Sequence, residues 1–458
     1  MTDSSIIARL VAALPPEAVV QGEDLGKRTD DWGGWRPTRA ALLLRPATTA
    51  EVSTILSMCH AAGQSVVTHG GRTGLVHGTD TTEGDVVISL ERMRTIESID
   101  PVQRIAVVGA GVTLQQVQEA ADAQGLSFPL DLGARGTATI GGNASTNAGG
   151  NRVVRFGMTR DMVLGVEAVL ADGTVIPAMN RLIKNNSGYD LKHLFIGAEG
   201  TLGVITRLVL RLREKPPRQD VAFVAAPGFE QVAALLKHMD RTMGGSLSAF
   251  EVTWPEYYEL VTTAPAKGRA PVPHGSPFYV LIESMSGDAD AHRFEQALEA
   301  ALEDGLVSDA AIAKSQAEAA AIWALRDDVM QTARWGPPYT YDVSLALADM
   351  PAYVDHVRAE LRALWPSVRA FVFGHIGDGN LHLVISPDGL PKDARETIER
   401  IVYEPLAALS GAISAEHGIG FEKKAWLPIS RNPSEIALMR TLKQAMDPKN
   451  ILNPGRVV

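Results

Sequence analysis

The hydrophobic pattern of the first half alternates short apolar runs with amphipathic stretches. Apolar, β-branched runs of roughly four to eight residues are typical of strands, whereas apolar residues repeating every third or fourth position are typical of helices. Strands are predicted at 40–46, 65–71, 85–90 and 104–111, and helices at 49–63 and 113–125. Residues 129–160 lack periodicity and are dense in Gly, Ala, Thr and Asn, and 163–176 predicts a hairpin that turns at Asp-Gly.

A second pattern begins after residue 217. The stretch 200–217 ends in two prolines, which favours a linker at this point. Strand-like runs such as FYVLIESMS then alternate with predicted helices over 228–242 and 289–303, and a last helix is predicted over 433–446. This order predicts an α+β domain with an antiparallel sheet.

The segment GHIGDGNLH (374–382) places two histidines on either side of a tight turn. Glycine is unfavourable inside helices, and Asp-Gly between the strand-like runs FVF and LVIS is a strong hairpin signal. With Asp378 and Gly379 as the two loop residues, His375 would lie directly opposite His382, and opposed residues share one face of a sheet. This arrangement suits two ligands of one metal ion, and two structural histidines in a hairpin are the alternative.

Composition restricts the classes of protein to consider. The 458 residues, 45% hydrophobic and 21% charged, suffice for two or three ordinary globular domains. The formal net charge of −10 and the lack of a basic stripe argue against a nucleic-acid partner. A single cysteine, Cys59, excludes an internal disulfide and fits a reducing compartment. The N-terminus does not resemble a secretory signal, so a cytoplasmic protein is expected, with peripheral membrane docking left open.

Two glycine-rich segments predict a phosphate-binding surface. GGRTGL (70–75) and TIGGNASTNAGG (139–150) consist of small residues that leave backbone N–H groups exposed in concave nests, which suit a pyrophosphate. The run VVGAG (107–111) ends three residues before Leu114, which stands where a dinucleotide fingerprint needs its third glycine. A Rossmann fold is therefore not predicted, and an unusual structural loop is the alternative for the two segments.

Several motifs resemble known flavoproteins. VTHGGRTGL, TIGGNASTNAGG and NNSGYDLKHLFIGAEGTLGVIT (185–206) are similar to the flavin-binding domain of the vanillyl-alcohol-oxidase-type flavoproteins. GHIGDGNLH, AEHGIG and DPKNILNPG resemble the FAD-linked D-2-hydroxy acid dehydrogenases, the branch with D-lactate and D-2-hydroxyglutarate dehydrogenases. The resemblance runs in motif order from residue 38 to residue 455.

The resemblance implies an α+β fold with three parts. Residues 1–217 would form a PCMH-type FAD-binding domain of two subdomains, and 218–410 an α+β substrate-binding cap domain. The C-terminal segment 411–458 would return to the FAD domain and complete the active site.

The resemblance also implies which residues hold FAD. They are Thr68, Gly70, Gly71, Arg72, Thr73, Gly74, Leu75, Pro129, Asp131, Leu132, Gly133, Thr139, Gly142, Asn143, Ser145, Thr146, Ala148, Gly149, and, on the adenine side, Glu199, Gly200, Val204 and Ile205. Some relatives bind flavin covalently through a histidine after the paired glycines, where this chain has Arg72, so non-covalent FAD is expected. The nearby His69 and His77 are expected to be structural.

The same resemblance assigns a divalent-metal site and a catalytic pair. His375, His382 and Glu416 would bind Zn or Mn, a ligand set that first-row metals accept. His417 would be the general base, because a neutral imidazole can take a proton from a hydroxyl whose pKa a metal has lowered. Arg326 would bind the substrate carboxylate in a bidentate fork. The hydride would leave the substrate for the flavin.

Three positions differ from the pattern of relatives that act on 2-hydroxyglutarate. Those relatives place Thr, Lys and Asn where this chain has Met330, Thr340 and Val384, and the match for Thr340 depends on a one-residue gap. Without the lysine a second carboxylate loses its partner, and an unpaired buried carboxylate is strongly unfavourable. The expected substrates are D-lactate or longer, hydrophobic D-2-hydroxy acids, oxidised to 2-oxo acids, with D-2-hydroxyglutarate as the alternative.

Two other roles stay open at this point. The chain could be the FAD subunit of a glycolate-oxidase-type complex, or a non-redox transferase on the same fold, as in ether-lipid synthesis. For a dehydrogenase, the electron acceptor would be an electron-transfer flavoprotein, a cytochrome or a quinone, and formation of a homodimer is left open.

Overall fold

The structure is a computed structural model that describes residues 5–31, 33–290 and 292–458. The strands are β1 (Val19–Val20), β2 (Leu42–Leu44), β3 (Val66–His69), β4 (Val86–Ser89), β5 (Ile96–Asp100), β6 (Ile105–Gly109), β7 (Leu126–Ser127), β8 (Val163–Val169), β9 (Val175–Ala178), β10 (Val204–Arg211), β11 (Arg213–Glu214), β12 (Arg218–Ala226), β13 (Leu247–Thr253), β14 (Phe278–Ser286), β15 (Asp309–Ile312), β16 (Tyr339–Ser344), β17 (Ala370–His375) and β18 (Asn380–Ile385).

The helices lie between these strands and after the last of them. They are α1 (Ile6–Ala13), α2 (Gly22–Gly26), α3 (Thr49–Ala62), α4 (Leu114–Asp122), α5 (Ile140–Thr146), α6 (Val153–Phe156), α7 (Thr159–Met162), α8 (Lys192–Phe195), α9 (Phe229–Met243), α10 (Pro255–Thr262), α11 (Arg293–Glu303), α12 (Gln316–Asp327), α13 (Met350–Leu364), α14 (Ala394–Tyr403), α15 (Leu427–Ser430) and α16 (Pro433–Met446). In the part of the chain that the structure describes, no helix has the length and apolar composition to cross a bilayer.

The chain divides into two compact units. Unit 1 comprises Met1–Gly149, Gly157–Lys215 and Glu416–Val458, and unit 2 comprises Gly150–Phe156 and Pro216–Ala415. The division after Lys215 lies at the proline pair of the predicted linker. No pattern in the sequence indicated that the short segment Gly150–Phe156 belongs to unit 2.

Unit 1 contains two main sheets. The first has the order β1-β2-β4-β3, in which β2, β4 and β3 are parallel. Its parallel strands are buried at nearly every position and apolar at most of them, as is typical of strands covered on both faces. The second sheet, β5-β6-β10-β8-β9, is antiparallel. The first three residues of the VVGAG run lie in β6 of this antiparallel sheet, which agrees with the rejection of a Rossmann fold.

The C-terminal segment returns to β3, as the implied fold requires. Leu452 bridges Val66 in parallel, and the side chain of Asn453 accepts a hydrogen bond from the backbone N–H of Thr68 at 2.9 Å. Lys443, near the end of α16, donates to the carbonyl oxygens of Thr201 and Leu452 at 2.9 and 2.7 Å. These contacts join the last residues of the chain to the loops that surround β3.

Unit 2 is built on a seven-stranded antiparallel sheet with the order β15-β12-β14-β13-β17-β18-β16. One face carries an apolar cluster that includes Phe223, Tyr257, Leu281, Leu325 and Phe373. The helices α10 and α12 cover this face, since Tyr257 lies on α10 and Leu325 on α12. The antiparallel α+β domain predicted from the sequence is confirmed.

Candidate active site

The hairpin of the two histidines forms, but its predicted register was wrong. His382 lies opposite Phe373, not opposite His375. The cause is a 3₁₀ turn over Ile376–Asp378, ended by Gly379 with φ of 87°, which makes the loop longer than a two-residue Asp-Gly turn. Because the shift is by two residues, both histidines stay on the same face of the sheet. Their ring centroids lie 5.2 Å apart.

The predicted third ligand follows a segment held at the edge of the same sheet. Ala412 bridges Ser344 of β16, and the backbone N–H of Ala415 donates to Asp342 at 3.0 Å. Asp342 is fully buried and lies opposite His382 in the β16–β18 ladder. Glu416 is the next residue after Ala415, so its position is fixed by this anchor.

One ligand atom from each of His375, His382 and Glu416 lies within 4.8 Å of the other two. Histidine nitrogens and carboxylate oxygens are the ligands that Zn²⁺ binds at about 2.0–2.2 Å. Both histidines are more than nine-tenths buried. The set of donors, two imidazoles and a carboxylate, therefore fits a divalent first-row metal.

A buried carboxylate links one of these histidines to the predicted substrate arginine. Glu251 on β13 lies directly opposite His375 and accepts a hydrogen bond from its Nδ1 at 2.6 Å. Its other oxygen accepts from Nε of Arg326 at 2.8 Å, and the NH2 group of Arg326 lies 3.1 Å from Nε2 of His375. Arg326 is thus a buried residue paired with a carboxylate, and not an ordinary surface arginine on a helix.

The charges in this group stabilise one another. Burial alone would raise the pKa of Glu251, but the electrostatic interactions and hydrogen bonds with His375 and Arg326 outweigh it and lower that pKa to about 2. Burial alone would lower the pKa of Arg326, and Glu251 reverses this so that the net shift is upward. Glu251 is therefore an anion and Arg326 a cation at neutral pH.

His417, the predicted base, lies on a loop that wraps around another carboxylate. The two oxygens of Glu199 accept the backbone N–H groups of Ile419 and Gly420 at 2.7 and 2.8 Å. Gly418 has φ of 88°, and a Cβ at this residue would lie 2.7 Å from Glu199. Burial raises the pKa of Glu199, and the two backbone hydrogen bonds oppose that shift. Nε2 of His417 lies 4.0 Å from the Glu416 carboxylate.

The segments expected to hold FAD converge in unit 1. The backbone N–H of Glu199 donates to Ser145 of α5 at 2.8 Å, and Asn453 donates to the carbonyl oxygen of Glu199 at 2.6 Å. Asn453 also accepts from Thr68, so three of the implied segments share one network. Gly142 donates to the hydroxyl of Thr139 that begins α5, at 3.4 Å.

Glycine is required where two of these segments touch. A Cβ at Gly70 would lie 2.6 Å from the hydroxyl of Thr139, and a Cβ at Gly71 would overlap the carbonyl oxygen of Thr137. The next residue, Arg72, has φ of 58° and donates to Thr29. The remaining implied segment, 129–133, starts with buried residues, and Asp131 in it pairs with Arg135 at 3.4 Å.

The residues expected to face the distal part of the substrate differ in exposure. Thr340 lies directly opposite Val384 in the β16–β18 ladder, two residues from the pair Asp342 and His382. Val384 is 3% exposed and belongs to the apolar cluster of unit 2. Met330 lies in a 3₁₀ turn and is 51% exposed. Thr340 and Val384 therefore lie on the same face as His375 and His382.

The family models decide the class of the protein. Residues 215–457 match the C-terminal domain of the FAD-linked oxidases, and residues 40–178 match an FAD-binding domain. The chain belongs to the FAD-linked D-2-hydroxy acid dehydrogenases. It is an FAD-dependent oxidoreductase, and the predicted class of enzyme is confirmed.

Curated relatives of this FAD-linked dehydrogenase extend over the whole chain. The mitochondrial D-2-hydroxyglutarate dehydrogenase of Bos taurus is 40% identical over 99% of this chain and 83% of its own length. The D-2-hydroxyglutarate dehydrogenase of Xanthomonas citri pv. viticola is 39% identical over 100% of this chain and 97% of its own length.

Solved structures confirm the PCMH-type fold of this dehydrogenase. p-Cresol methylhydroxylase has a TM-score of 0.80 and 16% identity, covering 98% of this chain and 96% of the other. An alkyldihydroxyacetonephosphate synthase has a TM-score of 0.76 and 15% identity, covering 99% of this chain and 85% of the other. At this identity the likeness concerns the fold alone.

The sequence analysis missed Glu251 and did not predict the contact that the Glu199 carboxylate makes. Glu251 interrupts the apolar strand LSAFEVT, and a lone charge inside such a run signals a paired buried residue, although it does not identify the partner. Glu199 was expected on the adenine side of FAD, but its carboxylate oxygens bind the backbone of the His417 loop. Its contribution to FAD binding through the backbone stays a prediction.

Proposed function

We propose that the protein oxidises D-2-hydroxy acids to 2-oxo acids with FAD and one divalent metal, Zn or Mn. The observation that carries the proposal is the convergence of His375, His382 and Glu416 next to the buried pair of Arg326 and Glu251. When bound, FAD supplies the hydride acceptor and the metal supplies a Lewis acid for the substrate oxygens.

The residues of the chain supply binding and proton transfer. Arg326 binds the α-carboxylate of the substrate, since a guanidinium edge matches a carboxylate in two hydrogen bonds. His417 accepts the proton of the C2 hydroxyl, and it lies on the loop whose backbone binds Glu199. His375, His382 and Glu416 would hold the metal ion.

The substrates we propose are monocarboxylates with an apolar side chain, such as D-lactate, D-2-hydroxybutyrate and D-2-hydroxyvalerate. The supporting observation is the pairing of Thr340 with the buried Val384, which offers no cation for a second carboxylate. Arg334, ten residues before Ser344 in the chain, is engaged with the carbonyl oxygen of Leu260 and with Gln331.

D-2-hydroxyglutarate is the second candidate substrate, because the relatives with 34–40% identity over the chain carry the name of D-2-hydroxyglutarate dehydrogenases. A substrate panel separates the two. The purified holoprotein is assayed by reduction of an artificial dye with D-lactate, D-2-hydroxyvalerate, D-2-hydroxyglutarate and their L-enantiomers, with and without chelator.

We expect kcat/KM to rise from D-lactate to D-2-hydroxyvalerate, by about fourfold for each buried methylene. Activity should fall on removal of the metal and return on addition of Zn²⁺ or Mn²⁺. Faster turnover of D-2-hydroxyglutarate than of the neutral-chain acids would overturn the substrate proposal, and full activity in metal-free protein would overturn the metal proposal.

Non-covalent binding of FAD is part of the same proposal. Arg72 occupies the position of the histidine that links flavin covalently in some relatives, and its guanidinium is directed at Thr29. Denaturation should therefore release all of the flavin as free FAD, which chromatography of the supernatant measures. Flavin that stays with the precipitated chain would contradict this.

A further inference from the structure

We propose that Glu251 is a positioning residue that fixes the tautomer of His375 and the orientation of Arg326 at the same time. This inference rests on the proposed metal site and adds to it a residue that touches neither metal nor substrate. Glu251 is 2% exposed, and each of its carboxylate oxygens accepts one hydrogen bond, from Nδ1 of His375 at 2.6 Å and from Nε of Arg326 at 2.8 Å.

Two contacts assign the same tautomer to His375. An ionised carboxylate has no proton to give, so Nδ1 must carry the hydrogen that lies between His375 and Glu251. In a neutral imidazole Nε2 then holds the lone pair. The NH2 group of Arg326 can only donate, and it lies 3.1 Å from that same Nε2. The lone pair of Nε2 is therefore presented on the side away from Glu251, which is where a metal ligand needs it.

The sheet fixes Glu251 in this place. It lies directly opposite His375 in the β13–β17 ladder, where opposed Cβ atoms are about 4.5–5.5 Å apart, close enough for a short bond between the two side chains. Burial removes water as a competing donor or acceptor.

Arg326, the other partner of Glu251, makes further contacts through both its backbone and its guanidinium. Tyr257 donates to the backbone carbonyl of Arg326 at 3.0 Å, and the guanidinium carbon lies 5.1 Å from the centre of the Phe373 ring. If His375 held a metal through Nε2, the NH2 group of Arg326 would lose its contact with that atom. The bond from Nε to Glu251 is then what keeps the guanidinium in place while its NH2 group is free to bind a carboxylate.

A glutamine at residue 251 cannot serve both partners. Its single amide oxygen can accept from His375 or from Arg326, and its NH2 group must face the other one. If the NH2 group faces Arg326, two donors oppose each other in a buried site. If it faces His375, Nδ1 becomes the acceptor and the hydrogen moves to Nε2, where it blocks the metal. Loss of such a carboxylate partner typically weakens metal binding 10- to 100-fold.

Glu283 provides a matched control for this substitution. It is a fully buried glutamate on the neighbouring strand β14, and it accepts from Arg152 at 2.9 Å, Ser248 at 2.7 Å and Trp323 at 3.1 Å. Glu283→Gln therefore perturbs a buried carboxylate–arginine pair on the same sheet without touching His375.

The test measures metal affinity directly, without turnover. Metal-stripped, FAD-loaded full-length protein is titrated with Co²⁺ and with Zn²⁺ in competition with a chromophoric chelator, and the visible bands of bound Co²⁺ report its ligand set. We expect Glu251→Gln to bind either ion about 10- to 100-fold more weakly than wild type, with altered Co²⁺ bands. Glu283→Gln should bind as wild type does, and Glu251→Asp, which keeps an anionic acceptor, should recover part of the affinity.

The outcomes separate this inference from the proposed function. Wild-type affinity and unchanged Co²⁺ bands in Glu251→Gln would overturn the positioning role while the metal site stands. No stoichiometric metal in wild type would overturn the metal site and the positioning role together. If Glu251→Gln does not fold, Glu251→Asp decides: affinity below that of wild type and above that of His375→Ala supports the role, and affinity equal to either of them contradicts it.

Discussion

Substitution of Thr340 by lysine should shift the enzyme toward D-2-hydroxyglutarate. Thr340 lies opposite Val384, two residues along β16 from Asp342, which lies opposite the proposed metal ligand His382. Two residues of a strand span about 6.7 Å. A five-carbon dicarboxylate held at C1 and C2 by the metal extends its distal carboxylate over a comparable distance, so a lysine at residue 340 can reach it.

The magnitude follows from the hydrogen bond that the substitution adds. A hydrogen bond between charged partners contributes about 1.5–3 kcal/mol net, which is roughly 10- to 150-fold in kcat/KM. Thr340 is partly exposed, so the lysine can keep its ammonium group hydrated without substrate and needs no buried partner. The cost to folding should therefore be small.

The assay compares kcat/KM for D-2-hydroxyglutarate and D-2-hydroxyvalerate by dye reduction in wild type, Thr340→Lys and Thr340→Met. Methionine is the control because it adds a long side chain without charge. Thr340→Lys should raise the ratio of the two kcat/KM values in favour of D-2-hydroxyglutarate by roughly 10- to 150-fold, and Thr340→Met should not raise it. An equal rise in both variants, or no rise in either, would refute the reasoning.

Three further outcomes are expected. Glu199→Gln leaves one backbone N–H of the His417 loop without its acceptor, so the free energy of unfolding should fall by about 1–3 kcal/mol; an unchanged denaturation midpoint would contradict this. His417→Ala should retain FAD and metal yet lose about 10²- to 10⁴-fold in kcat; a pH–rate profile like that of wild type would assign the base elsewhere. The pKa of Glu251 is lowered from 4.5 to about 2 in the folded protein. The ionised carboxylate therefore stabilises the folded state fully above pH 4.5, and this contribution is lost as the pH falls toward 2. The difference in thermal midpoint between wild type and Glu251→Gln should therefore shrink on acidification, and a difference that grows would be contrary to the assignment.

The local part of the site could be predicted from the sequence. The residue types of GHIGDGNLH specify two strands and a turn, and the period of two places both histidines on one face even though the register was wrong. The register depends on the 3₁₀ turn over Ile376–Asp378, and short loops of similar composition adopt both that turn and a two-residue turn. The element types were therefore predictable and the loop length was not.

The non-local part could not be predicted. Glu251 meets His375 because β13 pairs with β17, a contact between residues 124 positions apart that no local pattern encodes. Glu199 meets the loop of His417 across 220 positions for the same reason. The resemblance to FAD-linked dehydrogenases predicted the metal ligands and the general base, because the motifs of a family consist largely of residues that contact cofactor and substrate. It did not identify Glu251, and it assigned Glu199 to FAD binding rather than to the loop of His417.

Anaerobic reduction of the bound flavin tests the central claim most directly. The FAD-loaded protein, with Zn²⁺ or Mn²⁺ and after treatment with chelator, is mixed without oxygen with D-2-hydroxyvalerate or its L-enantiomer, and the flavin absorbance is followed. We expect complete bleaching by the D-enantiomer in the metal-loaded protein, a rate lower by orders of magnitude after metal removal, and recovery on adding the metal back. Purified protein that carries no flavin, or flavin that is reduced equally fast without metal, would contradict the account.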